Sequence, residues 1–253
     1  MGDPRSADDD SVPADASVFY SHEITTNLDI AAVGRLLAGR ARAAMLDALF
    51  DGGAWSVREL ACVARIAPST ASEHLAQLRN GGLVVATRSG RHRRYRLAGE
   101  DVANALECLG ILAPPLPSRG LAEASRNEAL REARTCYDHL AGRLGVTITR
   151  AFVDHGYLAG VDGGFLPTAP GKLALADVGI DVDALERARR PVARPCMDWS
   201  ERRHHLAGGL GAAVLARLES IGGLAHLQGS RAVRLRPSGT ALLERLGIHL
   251  RAT

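Results

Sequence analysis

The sequence predicts a mainly α protein with short β-hairpins, in two parts joined by a proline-rich linker. Three observations carry this. Hydrophobic residues make up 46% of the 253 positions but aromatics only 4%, so the core is built from Ala, Leu and Val, which favour helices at 3.6-residue spacing. Residues 56–97 read as helix, tight turn, helix, β-branched run, turn and alternating strand. Beyond residue 120 a sequence pattern occurs twice.

Residues 1–27 are polar and acidic and contain Pro4 and Pro13, the composition of a flexible arm. Helical periodicity starts at Leu28 and continues through Ile30, Val33, Leu36 and Leu37. After Gly39 a second helix carries Ala43, Met45, Leu46, Leu49 and Phe50, and Asp51-Gly52-Gly53 stops it. Ser56 caps a short helix, Val57 to Ala64, with Glu59 three residues on as capping-box partner. A tight turn, Arg65 to Pro68, leads into a helix from Ser69 that ends at Asn80-Gly81-Gly82. Leu83 to Arg88 is a β-branched run, Ser89-Gly90 a turn, and Arg93 to Leu97 a returning strand. Helix, turn, helix and hairpin in that order make a winged helix-turn-helix. Val102 to Leu112 forms one more helix before Ala113-Pro114-Pro115-Leu116-Pro117-Ser118 breaks the pattern.

The expected organisation is therefore an arm at 1–27, a winged-helix DNA-binding and dimerisation domain at 28–112, a linker at 113–120 and a C-terminal sensing domain at 121–253. In the last, His139-Leu140-Ala141-Gly142-Arg143-Leu144-Gly145 returns as His205-Leu206-Ala207-Gly208-Gly209-Leu210-Gly211. Gly171, Leu175, Gly179 and Ile180 return as Gly239, Leu243, Gly247 and Ile248. Arg134-x-Cys136-x-Asp138 is echoed by Arg194-x-Cys196-x-Asp198. The colinear matches predict two degenerate winged-helix-like repeats, about 130–187 and 194–253, each a helix–helix–hairpin–helix unit.

Charge is unevenly placed. The chain carries a net +3, but residues 1–29 alone carry −6, which leaves +9 on the body. Lys172 is the only lysine, so the basic charge is arginine, whose planar fork suits phosphate and guanine. The four cysteines (Cys62, Cys108, Cys136 and Cys196) form no CxxC pair, which argues against a disulfide framework or zinc knuckle. There is no apolar run long enough to span a membrane and no hydrophobic signal core. A cytoplasmic protein without membrane partners is expected.

The helix from Ser69 turns Ala71, Leu75 and Leu78 inward. Its other face offers Ser69, Thr70, Ser72, Glu73, His74, Gln77 and Arg79, short polar groups that reach base edges and phosphates from the major groove. The hairpin after it adds Arg88, Arg91, His92, Arg93, Arg94 and Arg96 with no acid among them, a composition for flanking phosphates or a narrow minor groove. Double-stranded DNA is the expected partner.

Arg58-Glu59-Leu60-Ala61, Ser69 to Leu75, Leu78-Arg79, Gly82-Leu83-Val84 and Arg94 to Leu97 resemble the ArsR/SmtB-type winged-helix repressors. Leu36 to Arg42 resembles that family's entry helix, and the likeness covers about residues 28–112. It implies a homodimeric repressor released from DNA by a metal or small-molecule inducer. Its recognition helix falls on Ser69, Thr70, Ser72, Glu73, His74 and Gln77, and its wing on Arg91 to Arg94. The dimer interface is expected on the first helices, Leu28 to Phe50, and on Val102 to Leu112. Glu73 departs from the basic residue common there. The family's thiolate sensors carry Cys-x-Cys where this chain has Ser56 and Arg58. The dimer-interface metal site needs histidine, and Val102 to Leu112 offers only Asn104, Glu107 and Cys108. Any sensing site is therefore expected in the C-terminal half.

The candidates there are Cys136 and His139, on one face of an expected helix, and Cys196, His204 and His205 in the matching stretch. These stretches meet if the copies pack about a pseudo-twofold axis. A soft metal, a thiol oxidant or a small organic ligand then fits as inducer, with no cofactor required; buried core packing is the alternative for each cysteine. Arg134 and Asp138 read as an i, i+4 helix salt bridge. An enzyme is not expected, because there is no glycine-rich phosphate loop, nucleophile elbow or carboxylate pair. The other alternative, a ligand-binding or protein-interaction module with vestigial DNA binding, runs against the intact polar helix and arginine hairpin.

Overall fold

The computed structural model describes residues 28–90, 92–114, 117–118, 120–161 and 164–250. The acidic stretch 1–27, with the expected flexible arm, lies outside them, as does Arg91. The first helix, α1 (Ile30–Leu37), starts where the Asp29 carboxylate accepts from the Ala32 N–H. It is followed by α2 (Arg40–Ala48), which tightens into a 3-10 turn (Leu49–Asp51). Met45, Leu46, Leu49 and Phe50 are buried within the chain. Within the interface expected on Leu28 to Phe50, these four side chains face the chain's own core.

Strand β1 (Trp55–Ser56) leads into α3 (Val57–Ala64), whose N-terminus carries the expected Ser56–Glu59 capping box. The recognition helix, α4 (Pro68–Asn80), begins one residue earlier than expected because proline fits the first helical position. It buries Ala71, Leu75 and Leu78. The wing is β2 (Val84–Ser89) paired antiparallel with β3 (His92–Leu97). Trp55 and Ser56 pair with Tyr95 and Arg94, so the sheet has three strands in the order β1-β3-β2. Helix α5 (Glu100–Leu112) closes this part.

After it comes α6 (Leu121–Glu132), a mostly polar helix without a buried residue. Next are β4 (Arg134–Cys136), β5 (His139–Ala141), α7 (Gly142–Asp154), β6 (Leu158–Val161), β7 (Gly164–Pro167) and α8 (Ala169–Asp177). A short helix, α9 (Val182–Glu186), leads to β8 (Arg194–Met197), β9 (His204–Ala207), α10 (Gly208–Ser220), β10 (Leu224–His226), β11 (Val233–Leu235) and α11 (Pro237–Arg245). The order hairpin, helix, hairpin, helix thus occurs twice. This corrects the expected helix–helix–hairpin–helix unit: Cys136 and His139 lie on a β-hairpin, paired across its strands, and Cys196 pairs with His205 in the same way.

The repeated His-Leu-Ala-Gly-x-Leu-Gly pattern has a physical reason at each position. Leu140, Leu144, Leu206 and Leu210 fill the C-terminal core with Phe152, Leu175 and Leu243. Gly142 and Gly208 adopt φ of 76° and 82°, and a Cβ there would meet the carbonyls of Arg131 and Pro191 at 2.7 Å. Gly145 and Gly211 let each helix close on its own hairpin: a Cβ would lie 2.4 Å from the carbonyl oxygen of Leu140 or Leu206. Ala141, Ala207, Cys136 and Cys196 belong to the other core, with Met45, Leu49, Leu75 and Tyr95 of the winged helix. The two parts are separate along the chain and continuous in packing. Among the described residues no helix is long and apolar enough to cross a membrane.

Candidate functional site

The outer face of α4 leaves Ser69, Ser72, Glu73, Gln77 and Arg79 exposed, with Thr70 and His74 half-buried. The hydroxyl of Ser72 donates to the Pro68 carbonyl at 2.9 Å, so its lone pairs remain free for a donor. Arg42, from α2, spans the back of this surface. It donates to the Gln77 Oε1 at 3.1 Å, lies 3.4 Å from the His74 Nδ1, and is held by the carbonyls of Leu36 and Arg35. His74 and Gln77 are therefore fixed by a side chain that sequence reading left out.

On the wing, Arg88 and Arg93 stand opposite one another and are exposed. His92 begins the returning strand, opposite Ser89. Arg94 differs from its neighbours. Its guanidinium donates to the Ala54 carbonyl at 2.7 Å and lies 3.7 Å from Glu59, so it ties the base of the wing to α3. The backbone N–H and hydroxyl of Ser56, with lesser help from Arg94, hold the Glu59 carboxyl below its usual range.

A second constellation lies at the seam of the two cores. Cys136, His139, Cys196 and His205 are all buried, and their ligand atoms lie within 4.8 Å of one another. The His139 and His205 Nε2 atoms are 3.1 Å apart. His204 points to solvent and does not join them, because alternate residues of a strand face opposite ways. The four come together because the repeats cross: a Cβ added at Gly211 of α10 would lie 3.1 Å from the His139 Cβ, and one at Gly145 of α7 would lie 3.6 Å from the His205 Cβ.

Each histidine backs onto an aspartate. The His139 Nδ1 is 3.3 Å from Asp138. The His205 Nδ1 is 3.3 Å from Asp198, a contact short of hydrogen-bond alignment. Burial is the largest single influence and lowers the affinity of both rings for a proton, but the aspartates and Cys136 together outweigh it and raise both. Cys136 goes up to about 12, through its contact with Cys196 and through burial, so on its own it is a thiol. Burial would raise the Asp138 carboxyl, but His139 and Arg190 hold it down at about 2. Asp198 is held well below the usual range against its own burial by His205, Arg134, Ser200 and the Gly142 N–H.

The expected salt bridge of Arg134 to Asp138 does not form, since both lie on the hairpin rather than a helix. Arg134, fully buried under Trp199, pairs with Glu107 of α5 and with Asp198 at 3.0 Å. Asp138 pairs instead with Arg190 at 2.5 Å, and Arg190 with Glu100 of α5 at 2.9 Å. The repeated Arg-x-Cys-x-Asp pattern marked Arg134, Asp138 and Asp198 but not Arg190, Glu100 or Glu107. Its reach across the fold was hidden by the helical reading.

Between the repeats, the space lined by Leu140, Ile148, Thr149, Leu206 and Val214 measures about 10 Å³, too little for an organic ligand. A cleft of about 590 Å³ lies instead between α5, α6 and the β8–β9 loop, lined by Glu107, Leu130, Trp199, Arg202 and Arg231 among others.

The bacterial regulatory protein, arsR family, matches residues 40–85, the stretch from α2 to the start of the wing. The Uncharacterized HTH-type transcriptional regulator YdfF of Bacillus subtilis (strain 168) is 41% identical over 219 residues, covering 87% of this chain and 97% of that protein. The HTH-type transcriptional regulator CmtR of Mycobacterium bovis is 44% identical over 77 residues, covering 30% of this chain and 64% of its own length. Among solved structures, the homodimeric winged helix-turn-helix DNA-binding domain Mb0332 from Mycobacterium bovis is 38% identical, with a TM-score of 0.31, covering 33% of this chain and 76% of that one. The full-length likeness to YdfF, with the arsR-type match on the helices that carry the polar face, makes this chain a DNA-binding transcriptional regulator of the bacterial arsR family.

Proposed function

We propose that this regulator is a homodimeric repressor of the cytoplasm whose hold on DNA is set by a signal received in its C-terminal half. α4 enters the major groove and the wing lies along the flanking backbone. Leu28, Ile30 and Val33 at α1 and Leu109 and Leu112 on α5 are exposed, apolar surface of the kind an interface covers. The Mycobacterium bovis relative is itself described as homodimeric. The C-terminal half reads as two degenerate winged-helix-like repeats turned from DNA reading to sensing, and the chain acts by binding rather than catalysis. One observation carries the sensing role: Arg134 and Arg190 of the C-terminal half form ion pairs with Glu107 and Glu100 of α5, a helix of the proposed interface.

Light scattering, footprinting on the DNA upstream of its own gene and in vitro transcription test this reading. A dimer should protect two half-sites about one helical turn apart and lower transcription from that promoter. A monomer with no footprint, or a rise in transcription, would overturn it.

A further inference from the structure

We propose that Cys136, His139, Cys196 and His205 bind one tetrahedral metal ion of the zinc class, and that two aspartate–arginine–glutamate relays carry its presence to α5. The donor set is two thiols and two imidazoles, the chemistry of closed zinc sites. A tetrahedral ion with bonds of roughly 2.0–2.3 Å holds its donors about 3.3–3.8 Å apart. Four donors within 4.8 Å, two of them at 3.1 Å, need only small rotations to reach that geometry. Each Nδ1 lies 3.3 Å from a carboxylate and the Nε2 atoms face one another at 3.1 Å in a site closed to water; with the ring protons on Nδ1 the two Nε2 lone pairs would oppose each other, an arrangement that a cation relieves. The two thiols give up their protons on binding and become thiolates. Their charges then cancel that of a divalent ion, so the buried centre is neutral, as a closed interior requires.

Carboxylates behind metal-bound histidines fix the ring and strengthen it as a ligand, and here they also lead outward. One relay runs His139, Asp138, Arg190 and Glu100; the other runs His205, Asp198, Arg134 and Glu107. One starts from each repeat, and they end seven residues apart on α5. A binding ion draws the two hairpins together, moves both aspartates and so shifts α5. The coupling to DNA rests on the function proposed above; the metal site does not.

The test uses the full-length purified protein stripped of metal. Cobalt(II) is titrated in, then displaced by zinc, with metal content measured by mass spectrometry and free thiols counted with a disulfide reagent. One cobalt per chain should give the intense visible bands of a tetrahedral sulfur–nitrogen site and protect two of the four thiols. His204→Ala and Cys62→Ser should leave this spectrum intact, while Cys136→Ser and His205→Ala should lose it. If those variants fail to fold, the wild-type titration still decides. An octahedral spectrum, no bound metal, or a Cys136–Cys196 disulfide that re-forms in place of metal binding once reductant is removed would overturn the site. DNA affinity is then measured on metal-free and zinc-loaded protein, where a shift on the order of tenfold is expected. Stoichiometric metal with unchanged DNA affinity would overturn the relays and leave the site standing. Absence of any DNA binding would instead count against the function proposed above.

Discussion

The wing and the β4–β5 hairpin are both antiparallel hairpins, yet they differ in length and in what covers them. β2–β3 pairs six residues on each strand and carries Arg88 and Arg93 into solvent. β4–β5 pairs three, and every one of its strand residues is buried. A long ribbon with an open end has room for like charges across the strands, because water screens them until a phosphate arrives. A short buried ribbon has no water to screen its charge, and so Arg134 comes paired with Glu107 and Asp198, while Asp138 at its half-buried turn pairs with Arg190. The wing is therefore built for affinity toward something outside the chain, and the buried β4–β5 hairpin for holding parts of the chain in one arrangement.

The largest effect that follows is on stability. Arg134→Ala leaves Glu107 and Asp198 without their main partner in a site closed to solvent, and removing one member of a buried ion pair costs about 3–5 kcal/mol. Urea denaturation should show this. Arg134→Met with Glu107→Met should recover part of the loss, since apolar residues of similar volume often replace buried pairs well. Arg93→Ala should change stability by less than about 0.5 kcal/mol, as exposed positions do. Similar costs at Arg134 and Arg93 would erase the contrast between the hairpins.

Much of the DNA-binding half could be read from sequence because its signals are local. The Ser56–Glu59 capping box, Pro68 at a helix start and the inward spacing of Ala71, Leu75 and Leu78 each act within one element. The Cys–His cluster was legible only as composition and as an internal repeat. Cys136 and His139 are three apart, a spacing that suits a helix face or a tight hairpin equally, and long-range contacts select the hairpin: the Tyr137 N–H donates to the Phe50 carbonyl at 2.7 Å and the Thr135 N–H to the Arg231 carbonyl at 2.9 Å. His204 was separated from His205 by strand alternation, which needs the strand to be known first. Helix α6 escaped notice because it buries nothing and so carries no apolar period. The reach of Arg134 and Arg190 to α5 spans tens of residues, and nothing local encodes it.

Within the DNA-facing half, the structure separates residues that sequence reading grouped together. Ser72→Ala should cut preference for the operator by roughly 1–3 kcal/mol if its hydroxyl meets a base edge, with binding to random duplex nearly unchanged. Gln77 is held by Arg42, so Gln77→Ala and Arg42→Ala should be non-additive in a double-mutant cycle on operator affinity. Simple additivity would mean that the two residues act on DNA separately. On the wing, Arg88→Ala and Arg93→Ala should each lower the slope of log affinity against log salt by roughly 0.9, on operator and random DNA alike. An unchanged slope would show that the exposed ribbon does not touch phosphate.

Arg94 supplies the smallest effect and the finest division. It lies on the same strand as Arg93 and shares its charge, and charge alone would place both on the backbone of DNA. Its guanidinium is already engaged, however, by the Ala54 carbonyl at 2.7 Å and by Glu59 at 3.7 Å. Moving to a phosphate would break that hydrogen bond and leave the Glu59 carboxylate facing the DNA without its counter-charge. Arg94→Ala should therefore leave the salt slope within error of the wild type. The cost should appear in stability, at about 0.5–1.5 kcal/mol for one half-exposed hydrogen bond, because the base of the wing loses its tie to the start of α3. Arg94→Lys keeps the charge but not the fork, and should restore little of that stability. A slope that falls by a full contact in Arg94→Ala would instead mean that the guanidinium swings away from Ala54 when DNA arrives, and that the whole wing, base and tip, faces phosphate.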